Sequence, residues 1–410
     1  MTLSIGTTNP DPTLSLYHLL DPEVLANPYP LYHRLQTEDP VHWDPYLQAW
    51  AVTRYSDVLS ILHKFSADCA PKPEVMAATA MSKMGPIANV LTNQFLFMDP
   101  PRHTRLRALV SHAFSPQRVE ALRSHIRDIV NTLLDAVQDK GRLDVMADLA
   151  NLLPTIVSAE FLGLPASDSK QLKAWSTDFA EILGNFQHNT DRTSHMLQSL
   201  EGVETYFRAA IREQQKRDSD GLVKVLATAQ VDGVRLTEEE VIANSILLMV
   251  GAQETTPNLI GCGTLSLLRN PDQLEQLRSD FSLIPSAVEE LLRYESPSQH
   301  TTRLATEDTE LGGKRIRKRQ AMIVVMGAAN RDPQRFPDPD RLDITRRDNK
   351  HLAFGAGNHF CFGAPLARIE GQIAIETVLR RFPNLALEPD PVVWRYNVGL
   401  RGLEALPVRF

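Results

Sequence analysis

Residues 354–363 read Phe-Gly-Ala-Gly-Asn-His-Phe-Cys-Phe-Gly, and this run constrains the chain more than any other. It sets Cys361 in a glycine-rich loop that leads directly into a segment where Leu366, Ile369, Ile373 and Val378 recur at helical spacing. Glycine lets backbone approach closely and adopt positive φ, so amide N–H groups can point at a sulfur. The start of the following helix adds partial positive charge. The loop is therefore expected to hold Cys361 deprotonated with no lysine beside it.

A buried thiolate of this kind suits a haem iron, where its electron density favours cleavage of the O–O bond. The competing reading is a small core cysteine with glycines as turn punctuation. A zinc site does not fit, because Cys361 and His359 supply two ligands where a closed site needs four. The remaining cysteines, Cys69 and Cys262, stand too far apart for a disulfide framework and read as small packed hydrophobes.

The rest of the composition is that of an ordinary globular protein: 410 residues, 43% hydrophobic. With no Gly/Ser-rich linker, charge block or internal repeat to cut at, residues 1–410 read as a single domain. A net charge of -7 argues against nucleic acid and anionic membranes as partners. Met1 to Leu20 lacks a basic start followed by an apolar block, and the apolar run Val241 to Ala252 falls short of the roughly 20 residues of a membrane span. The expected location is cytoplasmic.

Proline-rich turns and short alternating stretches such as Trp50-Ala-Val-Thr make the first hundred residues a mixed α and β end. From Pro100 to about Arg380 the pattern is mostly helical. Asp99-Pro-Pro is expected to cap one helix, and Thr237-Glu-Glu-Glu240 is a capping box opening a long one. Within that long helix Pro257 cannot donate to the carbonyl of Gln253, so a kink or opening is expected there. Lys314 to Met326 reads as strand, and Arg331 to Pro339 as a proline-rich meander.

Phe354 through Gly363, continuing as Ala364-Pro-Leu-Ala-Arg368, resembles the haem-binding signature of the cytochrome P-450 family, FGxGxHxCxG. The resemblance extends over nearly the whole chain. It implies a mainly α fold with a small β-rich lobe, a triangular helical prism whose long central helix lies over haem b. It makes Cys361 the iron ligand, with Phe354, Gly355 and Gly363 shaping the loop around it. Gly251-Ala-Gln-Glu-Thr255 is similar to the family's (A/G)Gx(D/E)T element, with Ala252 where glycine is usual. There a small residue leaves room on the haem face, while Glu254 and Thr255 bring protons to dioxygen. By the same resemblance His103, Arg107, Arg303 and His359 hold the two propionates, since buried carboxylates need charge-assisted partners. Glu290 and Arg293 match the ExxR pair, with Arg341 expected as the third member.

The implied reaction is insertion of one oxygen atom from O2 into a small, mostly apolar substrate, by hydroxylation or epoxidation. Electrons would come from NAD(P)H through a ferredoxin-type partner and its reductase. Alternatives are a haem-thiolate peroxygenase or isomerase, or a non-enzymatic haem-binding sensor or carrier. Substrate contacts are expected from Met76 to Leu96, Leu183 to Phe186, Ser298 to Thr301 and Val398 to Leu400.

Overall fold

The structure is a computed structural model describing residues 11–77, 82–185, 192–216, 221–231 and 233–410. Its helices carry most of the chain, and the mainly α expectation holds. Six of them position the site: α1 (Arg102–Ala113), α2 (Leu152–Leu162), α3 (Ser169–Gly184), α4 (Glu238–Arg269), α5 (Ile284–Tyr294) and α6 (Ala364–Arg381).

The long helix α4 begins as its sequence predicts. Thr237 accepts the Glu240 N–H while the Glu240 carboxylate accepts the Thr237 N–H, completing the capping box. It then runs through the centre of the molecule, against α2, α3, α5 and α6. From Glu240 to Leu267 every residue is buried except Gly251, Ala252 and Thr255. Spaced one and three apart, these three share one side of the helix. An accessible stripe on an otherwise enclosed helix marks an internal space.

Pro257 does not open the helix, which continues unbroken to Arg269. The Gln253 carbonyl, left without its backbone donor, is taken by the Lys173 ammonium of α3 at 2.7 Å. Satisfying the orphan acceptor removes the reason for an opening.

The β-rich lobe is a four-stranded sheet of β1 (Val41–Asp44), β2 (Ala49–Val52), β3 (Thr301–Leu304) and β4 (Ala321–Val324), in the order β1-β2-β4-β3. Only β2 and β4 pair in parallel. Lys314 to Met326 is not one strand: Lys314–Ile316 pairs back on Thr309–Leu311, and the chain turns at Arg319, φ 68°, before β4. Asp99 likewise does not cap α1 with its side chain. Its carboxylate accepts from Ser66 Oγ and the Ala67 N–H, and only its carbonyl meets the His103 N–H.

Glu290 and Arg293 of α5 are fully buried and pair through two bonds of 2.8 Å. Arg293 also donates to the carbonyls of Asn330, Pro339 and Arg341, tying the meander to α5. The third cationic side chain is Arg346, whose Nε lies 3.2 Å from Glu290, and not Arg341, which contributes its carbonyl. The turn through Asp343, whose N–H also binds Glu290, brings Arg346 inward.

Candidate active site

The cysteine loop takes its shape from two glycines. Gly355 and Gly357 both sit at φ 67°, a left-handed conformation that a side chain disfavours. At Gly357 a Cβ would also meet the Leu62 carbonyl at 3.0 Å. The Cys361 N–H closes the loop on the Phe354 carbonyl at 2.9 Å, and α6 starts three residues later.

The Gly363 and Ala364 N–H groups reach the Cys361 sulfur as the sequence suggests, and Arg107 and Arg368 lie near enough to favour its anion. Burial nonetheless outweighs them and pushes the thiol up. The expectation of a thiolate without further help is therefore corrected. A Lewis acid on the sulfur would favour its anion.

Next to this loop four cationic or basic groups converge. His103 is 1% exposed, its two ring nitrogens have no hydrogen-bond partner, and its ring centre lies 4.0 Å from that of His359. Arg303, on β3, is 4% exposed with Nε unpartnered, while Arg107 reaches the Phe360 carbonyl. Burial, with Arg107 and Arg303 nearby, pushes the His103 imidazole down. Burial, His103, Arg303 and Arg107 together push His359 down to about 3. Among the described residues none of these four forms an ion pair with a carboxylate. Buried donors that repel one another, with the Asp99 carboxylate near His103 and Arg303 but no ion pair among the described residues, are the complement of a ligand bearing carboxylates. A haem, with its two propionates, fits this cradle and the adjacent sulfur.

On α4 the structure brings Gly251, Ala252 and Thr255 to the open stripe. Nothing lies within 4 Å of where a Gly251 Cβ would be. Thr255 Oγ donates to the Gly251 carbonyl at 2.8 Å. Glu254 is turned off the stripe and fully buried: Lys173 and Ser176 bind one oxygen at 2.6 and 2.9 Å, and Arg395 binds the other at 2.9 Å. Burial, which would raise this carboxyl, is outweighed by Lys173 and Arg395, which hold it below its ordinary range. Sequence reading missed both cations, since they stand 81 and 141 positions from Glu254 with no local pattern to join them.

Of the expected substrate-contacting segments, residues 78–81 and Phe186 lie outside the described residues. Leu96, Phe97 and Leu400 are partly buried against the core that also holds Leu247 and Leu248. Cys262 is buried as expected, and Cys69 lies 3.8 Å from the Thr302 carbonyl.

A long helix with an open stripe, a half-buried cysteine loop and an anion cradle define a haem-thiolate protein. The sequence model of the family described as Cytochrome P450 matches residues 182–393, and the chain belongs to that family. It is 38% identical over 392 residues to the biotin biosynthesis cytochrome P450 of Bacillus subtilis, covering 95% of this chain and 97% of that one. It is 40% identical to the cytochrome P450 monooxygenase PikC of Streptomyces venezuelae, with 99% and 96% covered. Among solved structures it is similar to P450BioI in complex with acyl carrier protein ligated to hexadec-9Z-enoic acid. The TM-score is 0.88 at 38% identity, over 95% of this chain and 100% of that one. The chain is a cytochrome P450 monooxygenase, and among the described residues no helix is long and apolar enough to cross a membrane.

Proposed function

We propose that this monooxygenase inserts one oxygen atom from O2 into a C–H or C=C bond of a mostly apolar biosynthetic intermediate, of the polyketide or fatty acyl kind, as one domain spanning residues 1–410. The observation that carries the reading is the cradle of His103, His359, Arg107 and Arg303, which forms no ion pair with a carboxylate among the described residues, beside the Cys361 sulfur. Haem b is the cofactor, and when bound it supplies iron-centred activation of dioxygen. Cys361 would ligate the metal, the Arg107 and Arg303 guanidinium groups and the His103 and His359 imidazole N–H groups would hold its carboxylates, and Phe354, Gly355 and Gly363 shape the loop below.

Gly251 and Ala252 leave room on the other face. Thr255 places a hydroxyl there, and Glu254, one residue away, holds a carboxylate that would exchange protons with that space on leaving its Lys173 and Arg395 partners. The apolar packing of Leu96, Phe97 and Leu400 against the core that holds Leu247 and Leu248 supports an apolar substrate. The biosynthetic names of the relatives support a polyketide or acyl chain, and the P450BioI complex extends this to a chain carried on a protein.

Electrons arrive from NAD(P)H through a reductase and a ferredoxin docking on the cysteine side. There Phe360, 41% exposed, stands beside the iron ligand. The test is the carbon monoxide spectrum of the reduced protein beside Cys361→His and Cys361→Ser. A strongly red-shifted Soret band lost in both variants supports the assignment. Its absence from the haem-loaded parent overturns it.

A further inference from the structure

Glu254 is held from two directions that are far apart in sequence and locked together in space. Lys173, Ser176 and Thr177 come from α3, and Arg395 comes from the C-terminal hairpin, whose strands pair Trp394 with Leu403. Arg395 is only 15% exposed, and its own N–H is fixed to the Gly402 carbonyl at 2.9 Å.

The tip of the same hairpin, residues 397–400, sits on the far end of α3. Asn397 donates to the Ala180 carbonyl at 3.0 Å, and the Val398 N–H donates to the Asn185 side chain at 3.2 Å. Two glycines allow this seat. A Cβ on Gly399 would lie 2.7 Å from the Gly184 carbonyl oxygen, and one on Gly184 would lie 1.9 Å from the Asn397 side-chain oxygen. The tip also crosses to the segment before β3 through the Gly399 carbonyl, which accepts the Gln299 N–H at 2.8 Å, and through the bridge of Ser298 to Leu400.

We propose that Arg395 is a positioning residue that keeps Glu254 charged and turned off the Thr255 stripe, and that its hold depends on the seating of the hairpin tip on α3. The tip carries Val398 and Leu400, both in a segment expected to contact substrate, and the same element carries the cation that restrains the acid. A displacement of α3 from the tip changes the spacing of the two hands, because Lys173 rides on one element and Arg395 on the other. Lys173 alone does not suffice: it divides its ammonium between Glu254 and the Gln253 carbonyl. The second carboxylate oxygen has Arg395 as its one charged partner among the described residues.

This rests on the reading of Glu254 as the proton-exchanging group, and the two fail separately. The experiment is an infrared pH titration of the Glu254 carboxyl in the haem-loaded full chain without turnover, assigned by difference against Glu254→Gln. Arg395→Gln is expected to raise the midpoint by about one unit or more, a tenfold gain in proton affinity, and Arg395→Lys to restore it. Gly399→Ala, which pushes the tip from α3 while leaving Arg395 intact, is expected to raise it part of the way, with circular dichroism confirming the fold. A midpoint unmoved in Arg395→Gln overturns the role of Arg395, and one unmoved in Gly399→Ala overturns its dependence on the tip. If instead Glu254→Gln turns over with a ferredoxin and reductase as fast and as tightly coupled as the parent, the reading of Glu254 itself is overturned.

Discussion

Glu370 offers a sharp test of how this core is built. It lies on α6, one turn from Leu366 and one from Ala374, both members of the main core cluster. Its residue is 3% exposed, and its Oε2 is buried with no hydrogen-bond partner. Burial pushes the carboxyl from 4.5 up to about 8. The unfolded chain releases this proton near 4.5 and the folded chain near 8, so between those values the folded state binds more protons. Stability is full below 4.5 and is lost as pH rises through 8. At about 1.4 kcal/mol per pH unit the loss reaches roughly 3 kcal/mol at pH 7 and levels off near 5 kcal/mol. Against a total of about 5–15 kcal/mol this is large. Glu370→Gln removes the titration and keeps the shape. Urea unfolding of parent and variant, followed by circular dichroism at pH 5, 6.5 and 8, should show the variant gaining on the parent by about 1.4 kcal/mol per unit. A difference that stays constant across this range refutes the reasoning.

Other perturbations have equally definite outcomes. Arg293→Ala strands the buried Glu290 and three meander carbonyls, and should cost about 3–5 kcal/mol in denaturant unfolding. Arg346→Ala leaves the bidentate pair intact and should cost about 1–2 kcal/mol. At Glu289 burial is outweighed by hydrogen bonds from His351 and Arg368, which hold its carboxyl down to about 2. Because the folded value is depressed, this stability is present above 4.5 and is lost as pH falls toward 2. After discounting for a side chain 29% exposed, Arg368→Gln should remove about 1–2 kcal/mol at pH 6 and little at pH 2.5, measured as the shift in urea midpoint. Thr237→Ala breaks the capping box of α4 and should cost about 1 kcal/mol by the same assay.

What the sequence made legible follows the length scale of each interaction. The cysteine loop and the capping box are written within ten and four consecutive residues, and glycine φ values or a side-chain to N–H bond follow directly from those residue types. The cradle is less local. His103 and Arg107 share a helix, but their meeting with His359 and Arg303 required the family resemblance to foresee. The Lys314 to Met326 segment misled because β-branched residues fit either one strand or two. Only the turn at Arg319 decided between them.

The two errors about charge have one cause. Arg341 stands nearer Glu290 in sequence than Arg346, yet it is the turn at Asp343 that aims Arg346 inward. Likewise Cys361 has its amide donors in place, but how far burial opposes them depends on walls supplied by α1 and the rest of the fold. A sequence motif specifies which groups point at a site. The free energy of a charge placed there is set by everything that excludes water around it, which is a property of the assembled core. The ion cluster at Glu254 is the same case: one carboxylate visible in a five-residue motif, and two cations that only the packing of α3 and the C-terminal hairpin brings within 3 Å.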